Sequence, residues 1–338
     1  MISATSALEV NEPRPFTPPT HFGVVCENRG VEAVAHRRPR RRRRSLLEQR
    51  RYLAPTLIAP AVVFIVLLVG APLGLAVYLS LTDATAGSLT GTFIGFDNFT
   101  DQWADENFRR ALRNTVVFTL LSNAIVVVVA SVLAHQLMKD FRGKWFLRFL
   151  ILLPWAAPVA LSTIGWLWIF DSLFSVVNWV LVHMHLVDRF NPPQWLGDPD
   201  LALAAITMVH AWRLIPFATV IMIAGLASIP KEVDDAALVD GATGLRKLWH
   251  VTLPLQLPIA LIAVLFGIVF TATDMAVVYI LTRGGPFNST QTLPMWAFAT
   301  GIQSGDLGAG AAVALYLLPI LAVVTVLMLV VAKRVEVT

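Results

Sequence analysis

Charged residues are scarce in this chain of 338 residues, where they make up 14% of the sequence against 56% hydrophobic residues. A soluble globular domain carries about 25% charged residues. This composition, with a mean hydropathy of +0.68, therefore excludes an ordinary soluble protein. The solvent that suits such a chain is the lipid bilayer, so the sequence predicts an all-α integral membrane protein.

Cysteine and the common catalytic motifs are also missing or nearly so. The one cysteine, Cys26, excludes a disulfide within the chain and a cysteine-rich metal site. The sequence has no G-x-x-x-x-G-K-[ST] phosphate loop, no G-x-S-x-G nucleophile elbow and no H-E-x-x-H zinc motif. We therefore expect no catalytic residue, no metal site and no cofactor in this chain, and the energy for any ATP-driven step must come from a partner.

The N-terminal 51 residues differ in composition from the rest. Residues 1–36 are rich in proline and polar residues without a period, which predicts a disordered segment. Residues 37–51 are strongly basic, and we interpret them as a juxtamembrane anchor for lipid rather than a nucleic-acid patch because a membrane span follows. The predicted domains are thus a disordered basic tail, 1–51, and a membrane domain, 52–338.

Six apolar runs follow the basic segment. Each is long enough for the roughly 20 residues that a spanning helix needs. The sequence therefore predicts six transmembrane helices. The runs are Pro55–Leu81, Ala111–Met138, Phe146–Phe170, Leu201–Ala227, Leu257–Leu281 and Ala309–Ala332.

Lysine and arginine are distributed unevenly between the two sides of these runs. The side that carries residues 37–51 also carries Lys139, Arg142, Lys144, Arg148, Lys231, Arg246, Lys247, Lys333 and Arg334. The opposite side carries chiefly Arg109, Arg110, Arg189 and Arg283. By the positive-inside rule, both termini and the loop between the fourth and fifth runs are predicted to be cytoplasmic. On the outer side, residues 83–110 and 171–200 are long enough that we expect small docking caps.

That cytoplasmic loop, residues 229–256, interrupts the apolar sequence with a polar segment. Pro230 is suited to begin a short helix with acidic residues in its first turn, and Gly241 to end it in the left-handed conformation. We expect Thr243 to cap a second helical turn, which Leu253-Pro254 then ends. The loop is predicted to contact another protein.

In this loop Asp235-Ala236-Ala237 is followed by Asp240-Gly241-Ala242 and then by Leu253-Pro254. This order closely resembles the EAA loop of permease subunits in binding-protein-dependent ABC importers. The Asn114-Thr115 pair and the stretch Leu281–Pro286 resemble the same family, and the resemblance covers about Leu53–Lys333. Within the family the chain is similar to the MalF-like carbohydrate subgroup and its shorter members, including trehalose permeases. The matching loop residues are Asp235, Ala236, Ala237, Asp240, Gly241 and Ala242.

The resemblance implies a type I importer fold and a permease without an ATPase site of its own. It implies that the loop docks on two cytoplasmic ATPase subunits, which bind ATP and Mg. It also implies a second permease subunit, an extracytoplasmic sugar-binding protein or lipoprotein, and a place in a prokaryotic cytoplasmic membrane. The cargo implied is a di- or oligosaccharide such as trehalose. Asp235 departs from the family pattern, where glutamate is usual and reaches farther.

Two ionisable residues, Arg213 and Asp274, fall deep inside the fourth and fifth runs. Each would cost about 2.5 to 3.5 kcal/mol in lipid, so both should face the interior at similar depth and are able to pair. The pair is either a salt bridge that fixes helix packing or part of a sugar pathway, which needs both donors and acceptors for hydroxyl groups. His210 is interpreted as a packing group. The candidate pathway residues are Arg213, Asp274, Asn123, Thr271, Thr273 and Tyr279.

Two other functions compete with an ABC permease. A secondary transporter or channel for a polar solute would use ion-coupling carboxylates within the spans, of which Asp274 is the one available, and would show repeated broken helices. A membrane enzyme, such as a glycosyl or lipid transferase, would need clustered carboxylates or histidines at the membrane surface. The acidic residues near Asp235 are better explained by a docking helix.

Overall fold

The computed structural model describes residues 50–336, apart from 89 and 173, and this part is helical with isolated β-bridges and no strand. The chain divides into two units, Met1–Pro60 and Ala61–Thr338. Residues 1–49 of the predicted disordered tail are not among the described residues. The helices are α1 Arg50–Ile65, α2 Ala71–Ser80, α3 Asp97–Ala104, α4 Glu106–Met138, α5 Lys144–Ala156, α6 Val159–Ile169, α7 Val176–His183, α8 Pro199–Ala227, α9 Lys231–Val239, α10 Gly244–Lys247, α11 Leu253–Ala272, α12 Ala276–Leu281, α13 Leu293–Phe298 and α14 Leu307–Glu336.

Among the described residues, five continuous helices and one bent pair are long and apolar enough to cross a membrane. Short π-helical turns connect some of the α-helices into these longer rods. The predicted all-α architecture with up to six spans is therefore confirmed. The continuous spans are Leu57–Ser80, Glu106–Met138, Pro199–Ala227, Gly244–Ala272 and Leu307–Arg334.

The third predicted span is not one straight helix. It consists of α5 and α6, which meet at an angle of 99°. Ala157 is extended there (φ −71°, ψ 138°), because the ring of Pro158 disfavours the helical conformation in the residue before it. The span predicted over Phe146–Phe170 is therefore present as a bent pair of helices and not as one straight helix.

The fifth predicted span is shifted toward the loop that precedes it. The helix begins at Gly244 and continues through a π-helical turn, Leu248–Thr252, into α11, so Leu253-Pro254 does not end it. In that turn Leu253 donates its N–H to the carbonyl of Leu248, and the wider turn accommodates a proline ring that would clash in a regular α-helix. The helix then ends at Ala272, nine residues before the predicted end at Leu281.

The central helix of the described structure is α8. In the most hydrophobic 18-residue stretch of α8, 56% is buried inside the protein, whereas none of the corresponding stretch of the first span is buried. It packs against α4 and α11, and α14 packs against α2 and α11. The interface of α4, α8 and α11 is rich in alanine, which lets the helix backbones approach closely. Its buried residues are Val126, Ala130, Ala134, Ala211, Leu214, Ala218, Met222 and Ala263.

The Asn114-Thr115 pair of α4 contacts the chain that follows Leu281–Pro286. Asn114 donates through Nδ2 to the carbonyls of Asn288 and Gln291, both at 3.1 Å. The Thr115 hydroxyl accepts from the N–H of Leu293 at 2.8 Å. These buried side chains on α4 satisfy backbone groups of the loop after α12, and so they fix that irregular loop to a regular helix.

The segment between α2 and α4 is also held by side chains. Asn98 donates to the carbonyls of Ser80 and Thr82 at 2.9 and 2.8 Å. Thr92 donates to both carboxylate oxygens of Asp83. Because these bonds favour the charged form, the pKa of Asp83 is lower than usual. The predicted role of this segment in docking stays a prediction.

Candidate functional site

The loop between α8 and α11 forms the short helix that the sequence predicted. Pro230 is extended (φ −61°, ψ 145°) and α9 begins at the next residue, with Glu232 and Asp234 in the first turn. The carboxylates lie at the positive end of the helix dipole. Lys247 of α10 forms an ion pair with Asp234 at 2.9 Å, which connects α9 to the beginning of the next membrane helix.

Gly241 ends α9 in the left-handed conformation, with φ of +73°. Its N–H donates to the carbonyl of Leu238 at 3.1 Å, and the N–H of Ala242 donates to the carbonyl of Ala237 at 2.8 Å. These two bonds are the Schellman arrangement, which satisfies the last carbonyls of the helix. The prediction that Gly241 needs a positive φ is confirmed. The side chain of Thr243, by contrast, makes no capping bond to α10.

The exposed face of α9 combines acidic and aliphatic side chains. Asp235, Ala236 and Asp240 are exposed, whereas Ala237 is buried. Leu238 and Val239 are 54% and 88% exposed, although both are large aliphatic residues. Sequence reasoning missed these two, and the signal available was a pair of aliphatic residues beside the acidic motif. An exposed apolar surface with a charged rim is typical of a protein interaction site.

A charged pair lies inside the bundle. Arg213 of α8 contacts Asp274 through Nη2 and Oδ2 at 3.1 Å, with 14% and 5% of the two side chains exposed. The sequence predicted that Asp274 lies within a helix, but the residue lies between α11 and α12. Its Oδ1 accepts from the N–H of Val277 at 3.0 Å, so the carboxylate caps α12 where the helix is interrupted. The predicted pairing is confirmed.

Polar side chains of three helices surround this pair. The hydroxyl of Thr271 donates to the carbonyl of Gly267 at 2.7 Å, so it accepts from Nε2 of His210 at 3.0 Å. In a neutral imidazole this leaves Nδ1 unprotonated, 3.7 Å from Oδ2 of Asp274. Asn123 of α4 reaches the same threonine hydroxyl at 3.4 Å. We call Asn123, His210, Arg213, Thr271 and Asp274 the polar cluster.

Not all predicted pathway residues belong to the polar cluster. Thr273 is exposed and donates to the carbonyl of Val269 at 2.7 Å. Tyr279 packs edge-on against Phe298, with ring centroids 5.6 Å apart. Their assignment to a pathway stays a prediction. His210 was missed as a member of the cluster, although its position three residues before Arg213 places both on one face of a helix.

Several buried polar atoms in and beside the polar cluster have no hydrogen-bond partner among the described residues. They are Oγ1 of Thr119, Oγ of Ser122, Oδ1 of Asn123, Nδ1 of His210 and Nε of Arg213. Leaving such an atom unpaired costs about 1 to 3 kcal/mol. The cluster therefore has unused capacity to donate and accept hydrogen bonds, and its one buried ion pair keeps the charges balanced.

Comparison with known families identifies most of the membrane domain. Residues 126–337 match the family described as binding-protein-dependent transport system inner membrane component. The chain is 33% identical over 265 residues to the sulfoquinovosyl glycerol transport system permease protein SmoG of Agrobacterium fabrum, covering 78% of this chain and 85% of that protein. It is 30% identical to the trehalose/maltose transport system permease protein MalF of Thermococcus litoralis, covering 66% and 74%.

Solved structures share the fold at lower sequence identity. A chain of a bacterial ABC transporter involved in the import of the acidic polysaccharide alginate superimposes with a TM-score of 0.71 and 17% identity, covering 84% of this chain and 96% of that one. The alginate transporter in complex with an alginate pentasaccharide-bound periplasmic protein gives the same TM-score at 19% identity, covering 86% and 98%. These likenesses concern the helical architecture described above.

Proposed function

We propose a sugar-import function for this chain, which belongs to the family of inner membrane components of binding-protein-dependent transport systems. It is a multi-pass permease and not an enzyme. The observation that carries the proposal is α9, a short helix with an exposed acidic and aliphatic face that ends in a fixed glycine turn. A secondary transporter or channel does not need such a helix, whereas an ATP-driven permease needs a surface that contacts its ATPase subunits.

The proposed partners follow from this helix and from the family. We assign α9 and its end, Asp235–Ala237 and Asp240–Ala242, to docking on the cytoplasmic ATPase subunits, which bind ATP and Mg. Two ATPase subunits, a second permease and an extracytoplasmic sugar-binding protein or lipoprotein would complete the transporter. Leu238 and Val239 would fill apolar positions of the ATPase surface, and the carboxylates would face its basic residues.

The proposed cargo is an uncharged di- or oligosaccharide such as trehalose. One relative is named for trehalose and maltose, and another for a sulfonated glycoside. In the polar cluster Asp274 balances the charge of Arg213, which disfavours an anionic cargo at that place. The unpaired donors and acceptors suit hydroxyl groups, each of which donates and accepts.

Reconstitution tests this function. The complex that co-purifies with the full-length chain is placed in liposomes with its binding protein, and uptake of labelled trehalose is measured with and without internal ATP. We expect uptake that requires both ATP and the binding protein, with glycerol 3-phosphate as the anionic control showing little uptake. Uptake driven by a proton or sodium gradient without ATP would establish the secondary transporter instead.

The proposed orientation has both termini and α9 in the cytoplasm. With Cys26 replaced by serine, single cysteines at the exposed positions Ser88 and Phe287 are expected to react with an impermeant maleimide in intact cells. A cysteine at Thr243 is expected to react after the cells are permeabilised and not before. Labelling of Thr243 in intact cells, with Ser88 protected, would reverse the orientation.

A further inference from the structure

In the segment between α6 and α8 a polar side chain is buried and large apolar side chains are exposed, which is the reverse of the usual arrangement in water. We call residues 170–198, of which 173 is not described, the α7 segment. Asn178 is the one amide in α7, and it is buried. Its Nδ2 donates to the carbonyl of Pro193 at 3.0 Å, and its Oδ1 accepts from Nε1 of Trp195 at 2.8 Å. The amide side chain of this helix therefore faces the protein.

Large apolar side chains occupy the outside of the same segment. They are the groups that a water-exposed loop would bury first, because exposing them to water is unfavourable in proportion to their area. The exposed set is Phe174 at 81%, Trp179 at 60%, Met184 at 62%, Leu186 at 65% and Phe190 at 92%. An apolar surface of this extent marks an interaction site.

The apolar surface continues from a membrane helix. The α7 segment follows α6 directly, and Trp168 in the last turn of α6 is 73% exposed. A tryptophan at the end of a membrane helix is typical of the bilayer interface. The segment is attached to the protein through Ser175, whose hydroxyl donates to the carbonyl of Ile169 at 2.8 Å.

Cationic and titratable groups line a groove beside these apolar side chains. The groove has a volume of about 880 Å³, and its ionisable lining residues are His183, His185 and Arg189. The neighbouring carboxylate, Asp188, accepts from the N–H of Phe190 at 3.0 Å. A cation beside aromatic and aliphatic side chains matches the chemistry of a phospholipid, whose phosphate lies beside its acyl chains.

We propose that the α7 segment lies on the surface of the bilayer, with its exposed aromatic and aliphatic side chains among the lipid acyl chains and Arg189 at the lipid phosphates. A soluble partner would cover this surface during part of a transport cycle and leave it in water for the rest. Lipid is present throughout, and it is already the solvent of α6. The segment would then hold the outer ends of α6 and α8 at a fixed depth.

Fluorescence quenching in the reconstituted complex tests the proposal. In a chain with Cys26 replaced by serine, single cysteines at Met184 and Phe190 are labelled with an environment-sensitive fluorophore, in vesicles that contain nitroxide-labelled phosphatidylcholine. Leu161, exposed on α6, is the lipid-facing control, and Ser88 is the water-facing control. We expect quenching at Met184 and Phe190 close to that at Leu161 and about twofold or more above that at Ser88.

Two outcomes would overturn the proposal. Quenching at both positions as weak as at Ser88, with strong quenching by aqueous iodide, would place the segment in water. Protection from lipid nitroxide and iodide alike would assign the surface to a protein partner. The variant Arg189→Gln tests the phosphate contact, because it is expected to weaken quenching at Phe190 and to leave Leu161 unchanged. Unchanged quenching at Phe190 would refute that contact.

Discussion

Replacing Asp274 with asparagine is expected to lower solute uptake about tenfold or more and to reduce the yield of assembled transporter. The change leaves the guanidinium of Arg213, whose side chain is 14% exposed, without its anionic partner. Removing one partner of a buried ion pair costs about 3 to 5 kcal/mol. It also weakens the hydrogen bond at the start of α12, because the neutral amide oxygen of asparagine is a weaker acceptor than a carboxylate for the N–H of Val277.

A matched control variant tests whether the burial of the ion pair, and not the distance between its charged atoms, determines the effect. Asp140 forms an ion pair with Lys144 at 3.1 Å, the same distance as in the buried pair, but its side chain is fully exposed. Asp140→Asn is expected to change uptake and yield little, because exposed pairs contribute about 0 to 1 kcal/mol. Both variants are compared by size-exclusion chromatography of the complex and by uptake in liposomes.

The double variant distinguishes packing from cargo contact. Combining Asp274→Asn with Arg213→Gln removes both charges, so the yield of assembled complex is expected to recover toward that of the unmodified protein. Uptake should stay low if the pair contacts the sugar. Recovery of uptake together with assembly would assign the pair to helix packing, and the polar cluster would lose its place in the pathway.

Replacing Gly241 with valine is expected to uncouple the transporter, so that solute-stimulated ATP hydrolysis and uptake fall together by about tenfold. A residue other than glycine in the left-handed conformation costs about 1 to 2 kcal/mol, and a β-branched side chain costs more. With φ of +73° at this position, the turn that ends α9 would change shape and the helix would point elsewhere. The experiment measures ATP hydrolysis and uptake in liposomes, with the complex checked for intact membrane subunits.

Asparagine at the same position is the matched control, since it tolerates the left-handed conformation better than other residues. Gly241→Asn is expected to retain most of the coupled activity. Asp235→Lys tests the charge on α9 without altering the backbone, and should weaken attachment of the ATPase if the surface it meets is basic. Normal coupling in both Gly241→Val and Asp235→Lys would make the loop a connector and remove the main support for an ATP-driven importer.

The membrane spans and the α9 loop were predictable because they depend on local patterns. Long apolar runs predict spanning helices, and a glycine after an acidic turn predicts a helix end. The break at Pro158 was harder to predict, since α8 runs through Pro216 and α5 through Pro154. Whether a membrane helix continues at a proline depends on which neighbouring groups satisfy the freed carbonyl. That information is tertiary, so the sequence could not supply it.

The candidate site could be predicted only in part, because some of its contacts also depend on tertiary packing. Arg213 and Asp274 were expected to pair because buried charges in a membrane need partners. The interruption at Asp274 was not expected, because Val-Phe-Thr-Ala-Thr before it reads as apolar helix. His210 was passed over as a packing residue, and its contacts with Thr271 and Asp274 depend on how α8 and α11 cross. The orientation of α7 could not be predicted either, because asparagine is usually a surface residue and Asn178 is buried.

The interruption between α11 and α12 has a mechanical consequence. One helix runs from Gly244, three residues after the end of the α9 turn, to Ala272, two residues before Asp274. At a rise of about 1.5 Å per residue its 29 residues form a lever about 44 Å long. A tilt of about 10° would move one end by about 8 Å relative to the other. A displacement of the Gly244 end would thus also move Thr271, whereas the gap after Ala272 would let α12 stay in place.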